Sequence, residues 1–117
     1  MKVLVYRKCS TCMKALKWLD EHNINYEERA IKEENPTYEE LKEWYTKSGL
    51  PLKKFFNTSG MLYKEMGLKD KLKEMSEDDQ LKLLATDGML VKRPLVIGDD
   101  FVLTGFREKE WSEAMHV

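Results

Sequence analysis

The sequence predicts an α/β fold in which a strand–helix–strand unit and a strand–strand–helix unit flank a block of helices. Short β-branched and aromatic runs near both ends of the chain have the length of buried strands. Segments with apolar residues at helical spacing separate these runs. The 117 residues are the usual size of one domain, and the hydrophobic content of 42% is enough to form a core.

The first unit covers the N-terminal third of the chain. Residues 2–6 predict a buried strand, and residues 13–22 predict an amphipathic helix with Asn23 as a left-handed cap. Apolar and polar residues alternate over 24–30, which predicts a second, half-exposed strand. A helix that connects two strands in this way makes them parallel.

The middle of the chain carries helix signals only. Thr37 and Glu40 form a capping-box pattern, and Gly49 is placed to end that helix. Ser76 and Asp79 give a second box before another apolar stripe. We therefore expect a helical insertion rather than a separate domain.

The last unit returns to strands. Residues 93–97 and 101–104 predict a β-hairpin around Gly98-Asp99-Asp100, and residues 107–115 predict a final helix. An antiparallel hairpin joined to a parallel pair gives a mixed four-stranded sheet. This order is that of a thioredoxin-like fold with a helical insertion. We expect one domain over 1–117, with the core in 1–34 and 88–117 and the insertion at about 35–87.

The chemistry is expected at Cys9-Ser10-Thr11-Cys12, where the first strand gives way to a helix. A thiolate at a helix N-terminus lies among unpaired backbone N–H groups and the positive end of the helix dipole. Both favour the thiolate, which is the nucleophilic form of cysteine. Cys12 begins an apolar stripe that faces the core. We therefore predict that Cys9 attacks and that Cys12 resolves the adduct as an internal disulfide.

The bulk composition excludes several classes of function. Lys and Arg number 20 and Asp and Glu 21, so no excess of positive charge indicates nucleic-acid binding. No apolar run approaches the ~18 residues of a membrane span, and no signal peptide is apparent at the N-terminus. We expect a cytoplasmic protein, in which two cysteines indicate metal or redox chemistry. A zinc site needs four ligands, and it is disfavoured because only His22 and His116 could join the cysteines and His22 lies at the far end of the first helix.

The combination of motifs resembles the arsenate reductase-related ArsC/Spx/YffB family, and the resemblance covers essentially the whole chain. The segments that carry it are the strand followed by Cys-Ser-Thr-Cys, Tyr-Lys-Glu-Met-Gly-Leu at 63–68, Asp-Gly-Met-Leu-Val-Lys-Arg-Pro-Leu-Val at 87–96 and Gly-Phe-Arg at 105–107.

The resemblance implies a role for each of several residues. Cys9 is expected to be the nucleophile. Arg93 is expected to precede a cis-proline, Pro94, whose bend would contribute to substrate binding by letting the Arg93 backbone pair with a peptide or glutathione backbone. Arg93 and Arg107 are expected to bind an oxyanion beside the sulfur, with a third basic residue near Lys53.

Two departures from the arsenate reductases favour the Spx-like branch. Lys53 stands where they carry arginine, and lysine lacks the planar two-donor fork of arginine. Cys12 stands where the glutathione/glutaredoxin-linked enzymes have no cysteine. Ser10 and Thr11, between the cysteines, are expected to contact the substrate.

Three functions follow as hypotheses. The first is a thiol–disulfide oxidoreductase with no bound cofactor, reset by glutathione, glutaredoxin or thioredoxin. The second is arsenate reduction. The third is an Spx-like redox regulator that binds the C-terminal domain of the RNA polymerase α subunit. Spx proteins usually continue past the last helix, so the end of this chain at Val117 is expected to disfavour a regulator.

Overall fold

A computed structural model describes residues 1–117 and contains four strands, six α-helices and three short 3₁₀ turns. The strands are β1 (Lys2–Val5), β2 (Glu27–Ala30), β3 (Leu95–Ile97) and β4 (Val102–Thr104). The helices are α1 (Ser10–Glu21), α2 (Tyr38–Ser48), α3 (Met61–Glu65), α4 (Leu68–Lys71), α5 (Glu77–Leu84) and α6 (Glu108–Met115). The 3₁₀ turns are Leu52–Phe55, Leu72–Glu74 and Gly88–Leu90. None of the helices combines the length and apolar character that crossing a bilayer requires.

The strands form one mixed sheet in the order β2-β1-β3-β4. β1 runs parallel to β2 and antiparallel to β3, and β3 and β4 form the hairpin. This topology confirms the predicted thioredoxin-like α/β fold with a mixed four-stranded sheet. It also places β1, which leads into the cysteine motif, at the centre of the sheet beside β3, which follows Pro94.

Alternating side chains of the central strands build a separate core on each face of the sheet. Leu4 and Leu95 pack with the helical block in a cluster of 16 buried residues. Val3, Val5 and Val96 point the other way, into a cluster of 9 that includes buried residues of α1 and α6. Successive strand residues face opposite sides, so this split follows from the strand geometry. The sheet therefore lies between the helical block on one side and α1 with α6 on the other.

Several element boundaries predicted from the sequence are wrong, and β1, β3 and β4 are each one or two residues shorter than predicted. β2 begins at Glu27 rather than at residue 24, because Ile24 N–H first bonds to the end of α1 at Leu19 O. α1 begins at Ser10 rather than at residue 13, so Cys12 lies within its first turn. α6 begins at Glu108, with Arg107 as its cap.

The predicted helix caps are confirmed except at Ser76, where Ser76 Oγ accepts the Asp79 N–H at 3.1 Å without the reciprocal bond of a capping box. Thr37 Oγ1 accepts a hydrogen bond from Glu40 N–H at 3.1 Å, and Glu40 Oε1 accepts one from Thr37 N–H at 3.0 Å. Gly49 ends α2 in the left-handed conformation, with φ of 66°. Asn23 follows α1 with φ of 55°.

The carboxylate of the capping box also joins α2 to the sheet. Arg29 of β2 donates to Glu40 through Nη1 at 2.7 Å and through Nη2 at 2.9 Å. This paired donation from Arg29, followed by donation from the Thr37 N–H, outweighs the effect of burial and lowers the pKa of Glu40 from 4.5 to about 2. The carboxylate therefore stabilises the fold in its charged form.

We predict that the protein loses stability through Glu40 as the pH falls from about 5 to 2. A group whose pKa is lowered by folding contributes stability above its unfolded pKa and loses it as the pH falls through its folded pKa. Allowing for partial exposure, the contribution is about 2 kcal/mol. Glu40→Gln should therefore be less stable by that amount at neutral pH and should match the wild type near pH 2, measured by urea unfolding. Glu39→Gln is the control, and an equal pH dependence in all three proteins would contradict the prediction.

Candidate active site

Cys9 caps the N-terminus of α1. Its backbone is extended, with φ of −93° and ψ of 119°, and its side chain is half-buried. Its N–H donates to Tyr6 O at 2.9 Å, which closes the loop that leaves β1, and its carbonyl accepts the N–H of Met13 at 3.1 Å. The Cys9 sulfur therefore lies where the first helical N–H groups have no partner within the helix.

The pKa of Cys9 lies below the ordinary value of 9.0 despite partial burial. Burial is the largest single influence and raises the pKa. The backbone N–H groups of Cys12 and Thr11, the Cys12 side chain and the charge of Arg93 all lower the pKa of Cys9. Together these groups outweigh burial, so the site favours a Cys9 thiolate.

Cys12 has the opposite character. Its side chain is fully buried in the first turn of α1, and its Sγ accepts the N–H of Tyr6 at 3.5 Å. Burial and the neighbouring negative charge of Cys9 raise the pKa of Cys12 to about 12, although the Tyr6 N–H and Arg93 act in the other direction. Cys12 is therefore a neutral thiol in the same helical turn as the Cys9 thiolate. The two cysteines are not joined by a disulfide.

Arg93 supplies a positive charge to this pair. It precedes Pro94, and the peptide bond between them is cis, as the family resemblance implied. The guanidinium Cζ lies 5.3 Å from the centroid of the Tyr6 ring. Nε and Nη1 are buried and have no hydrogen-bond partner. Buried donors of this kind are rare, and they are suited to receive an anionic oxygen.

The other predicted site residues differ in their exposure and in their contacts. Ser10 and Thr11 are exposed in the first turn of α1 and lie beside the sulfur by position. Pro94 is buried, and its carbonyl accepts the N–H of Gly105 at 2.9 Å. The side chain of Arg107 is 72% exposed, and its Nη1 lies 3.6 Å from Oε1 of Glu110.

Lys53 lies in an exposed position on the turn Leu52–Phe55. That turn is held beside the arginine–proline segment, since Phe55 O accepts Lys92 N–H at 2.8 Å. No hydrogen bond or ion pair joins Lys53 or Arg107 to the cysteines. The structure thus brings Cys9, Cys12 and Arg93 together, and the binding roles of Lys53 and Arg107 stay predictions.

Sequence reasoning missed Tyr6 as a site residue. The sequence pattern places it only at the end of the first strand, whereas in the structure its ring contacts Arg93 and its backbone contacts both cysteines. One signal was available in the sequence. Tyr6 lies two residues after Leu4, and residues two apart in a strand point to the same face of the sheet. The position of Arg93 on that face was not visible in the sequence.

Comparison with known proteins identifies the family. The model of the ArsC family matches residues 4–114. The chain belongs to the ArsC family. Among curated proteins of this group, the uncharacterized protein YusI of Bacillus subtilis is 58% identical over 92% of each chain. The global transcriptional regulator Spx of Enterococcus faecalis is 30% identical, over 87% of this chain and 76% of Spx. The crystal structure of an ArsC family related protein from Bacteroides fragilis is 58% identical and superimposes with a TM-score of 0.93, over 96% of this chain and 94% of that one.

Membership of the ArsC family agrees with the arrangement of the site. The matched region includes both cysteines, the arginine–proline pair and the hairpin that follows it. No three His, Cys, Asp or Glu side chains lie together in an arrangement that could hold a metal ion.

Proposed function

We propose that this ArsC-family protein is a thiol–disulfide oxidoreductase in which Cys9 is the nucleophile and Cys12 the resolving thiol. The observation that carries the proposal is the opposite behaviour of two cysteines in one helical turn. The pKa of Cys9 is lowered, whereas the pKa of Cys12 is raised to about 12. The Cys9 sulfur is therefore favoured as the attacking thiolate, and the Cys12 sulfur stays protonated.

In the first step the Cys9 thiolate attacks one sulfur of a substrate disulfide. A bond forms between Cys9 Sγ and that sulfur, the substrate S–S bond breaks, and the second substrate sulfur leaves as a thiolate. The helix N-terminus and Arg93 keep Cys9 ionised before the attack. Nε and Nη1 of Arg93 are suited to bind a carboxylate or other anionic group carried by the substrate.

The second step depends on a change in the environment of Cys12. Once Cys9 is bonded to the substrate it no longer carries a negative charge, so two influences that raise the pKa of Cys12 are removed. The Tyr6 N–H and Arg93 still favour the Cys12 thiolate. Cys12 loses its proton and attacks Cys9 Sγ, and the remaining substrate thiolate leaves. The substrate gains two electrons and the protein becomes the Cys9–Cys12 disulfide, which glutathione or a thioredoxin or glutaredoxin would reduce.

Reduction of a disulfide reporter at neutral pH tests this proposal. Cys9→Ser should reduce insulin, or a small aromatic disulfide, at least about 100-fold more slowly than the wild type, because the only remaining thiol is buried and protonated. Cys12→Ser is the matched variant, since it should keep the first exchange and lose turnover. Equal activity of the wild type and Cys9→Ser would overturn the proposal.

A second candidate is a redox-sensing regulator, favoured by the similarity to Spx. In that case the cysteine pair would report the redox state rather than turn over substrate. The partner expected from the resemblance is the C-terminal domain of the RNA polymerase α subunit. Binding of that domain to the reduced and the oxidised protein, compared in a pull-down, separates the regulator from the enzyme.

Arsenate reduction is a third candidate, favoured by the unpaired buried donors of Arg93 beside the thiolate. The Cys9 thiolate would form a bond to arsenic while one arsenate oxygen, protonated by solvent, leaves as water and Arg93 holds another oxygen. A second thiol, from the reductant or from Cys12, would then attack Cys9 Sγ, so that the sulfur–arsenic bond breaks and arsenic gains two electrons. Arsenate-dependent turnover with glutathione and glutaredoxin, or with thioredoxin, tests this function. The lysine at position 53 and the second cysteine make a disulfide the preferred substrate.

A further inference from the structure

Tyr6 contacts all three groups of the candidate active site. Its carbonyl accepts the N–H of Cys9 at 2.9 Å, and its N–H donates to Cys12 Sγ at 3.5 Å. Its ring lies 5.3 Å from the guanidinium carbon of Arg93. Substitutions other than proline keep the backbone N–H and carbonyl, so the ring contact can be tested separately.

Arg93 is half-buried and is held in an unusual way for an arginine. Its Nε and Nη1 are buried and have no hydrogen-bond partner, and none of the ion pairs involves this residue. Burying a charged group without compensation is costly. The face of an aromatic ring compensates such a charge, and the attraction is stronger where the pair is shielded from water. The half-buried ring of Tyr6, packed against the larger core cluster, provides such a face.

We propose that Tyr6 is a positioning residue whose ring face holds the Arg93 guanidinium beside the Cys9 sulfur. Held in this way, the N–H donors of Arg93 stay available to an anionic group of the substrate. This inference rests on the proposed role of Cys9 as the nucleophile. A carboxylate in the place of the ring would hold the arginine equally well. It would also occupy the donors and neutralise the charge, and both consequences would weaken the site.

The ring, rather than the hydroxyl, should be the part of Tyr6 that acts. No hydrogen bond of the structure involves the Tyr6 hydroxyl, whereas the ring lies within cation–π distance of Arg93. Phenylalanine keeps the ring and should therefore replace tyrosine. Leucine fills much of the same space without a π face and should not.

Alkylation of Cys9 by two reagents of different charge measures the position of Arg93. In a Cys12→Ser background, at a pH where Cys9 is fully ionised, the rate with anionic iodoacetate is divided by the rate with neutral iodoacetamide. This ratio reports the positive charge near the sulfur and is independent of the thiolate fraction. We expect Tyr6→Leu to lower the ratio about fivefold and Tyr6→Phe to keep it within about twofold.

A double-mutant comparison assigns the effect to Arg93. Arg93→Ala should lower the ratio at least as much as Tyr6→Leu, and adding Tyr6→Leu to Arg93→Ala should change nothing more. The proposal is overturned if Tyr6→Leu keeps the wild-type ratio, if Tyr6→Phe behaves like Tyr6→Leu, or if the loss persists in the Arg93→Ala background. If thermal unfolding shows that Tyr6→Leu does not fold, Tyr6→Met is used in its place. Failure of the proposed function would show in a different experiment, the disulfide reporter assay, in which Cys9→Ser would keep its activity.

Discussion

Replacing Cys12 with serine should leave the first thiol–disulfide exchange intact and stop the second. The Cys9 thiolate keeps its position at the N-terminus of α1, the N–H donors of residues 11 and 12, and the charge of Arg93. A serine hydroxyl cannot attack the mixed disulfide at neutral pH, because the alcohol is far less acidic and less nucleophilic than a thiol. Catalytic turnover should therefore fall at least about 100-fold while the protein accumulates a substrate adduct on Cys9.

The stoichiometry of leaving-group release measures both steps. With a symmetrical aromatic disulfide, the reduced wild type should release two equivalents of the coloured thiolate and end with an internal disulfide. Cys12→Ser should release one equivalent and retain the other on Cys9, which mass spectrometry detects as an added aromatic thiol. Two equivalents from Cys12→Ser, or one from the wild type, would contradict the assigned resolving role.

Local signals in the sequence were sufficient for most of the scaffold. Helix caps depend on neighbours within a few positions, so they can be predicted from the local sequence. Examples are the capping box at Thr37 and Glu40 and the left-handed residues Asn23 and Gly49. The parallel and antiparallel pairs followed from the order of elements. Boundaries were less accurate, because hydrogen bonds such as that from Ile24 N–H to Leu19 O depend on how the helix end meets the sheet.

The site was predictable only in part, for a physical reason. The cysteine pair lies within four residues, and its position at a strand-to-helix junction indicates its chemistry directly. The placement of Arg93 depends on the pairing of β1 with β3, which brings together residues far apart in the chain. The contact between Tyr6 and Arg93 depends on the face toward which each side chain turns, and neither residue carries a motif for it.

A close backbone contact beyond the site anchors the end of β2 to the turn Gly88–Leu90. Ile31 is fully buried, and its N–H bonds to Val5 O at 2.9 Å, so its backbone continues the pairing of the parallel strands. A Cβ atom on Gly88 would lie 1.8 Å from Ile31 O and 2.7 Å from Ile31 C. The obstacle is backbone fixed by the sheet, rather than the end of a flexible side chain.

Gly88→Ala should therefore destabilise the protein by about 3 kcal/mol or more, because one of two fixed segments must move to admit a methyl group. Gly67→Ala is the control. Gly67 has φ of 63° and no atom within 4 Å of the added Cβ, so its substitution costs only backbone strain of about 1 kcal/mol. Urea unfolding of the two variants measures the difference. A Gly88→Ala protein as stable as Gly67→Ala would mean that the turn can shift away from Ile31, and that this contact does not fix the helical block to the sheet.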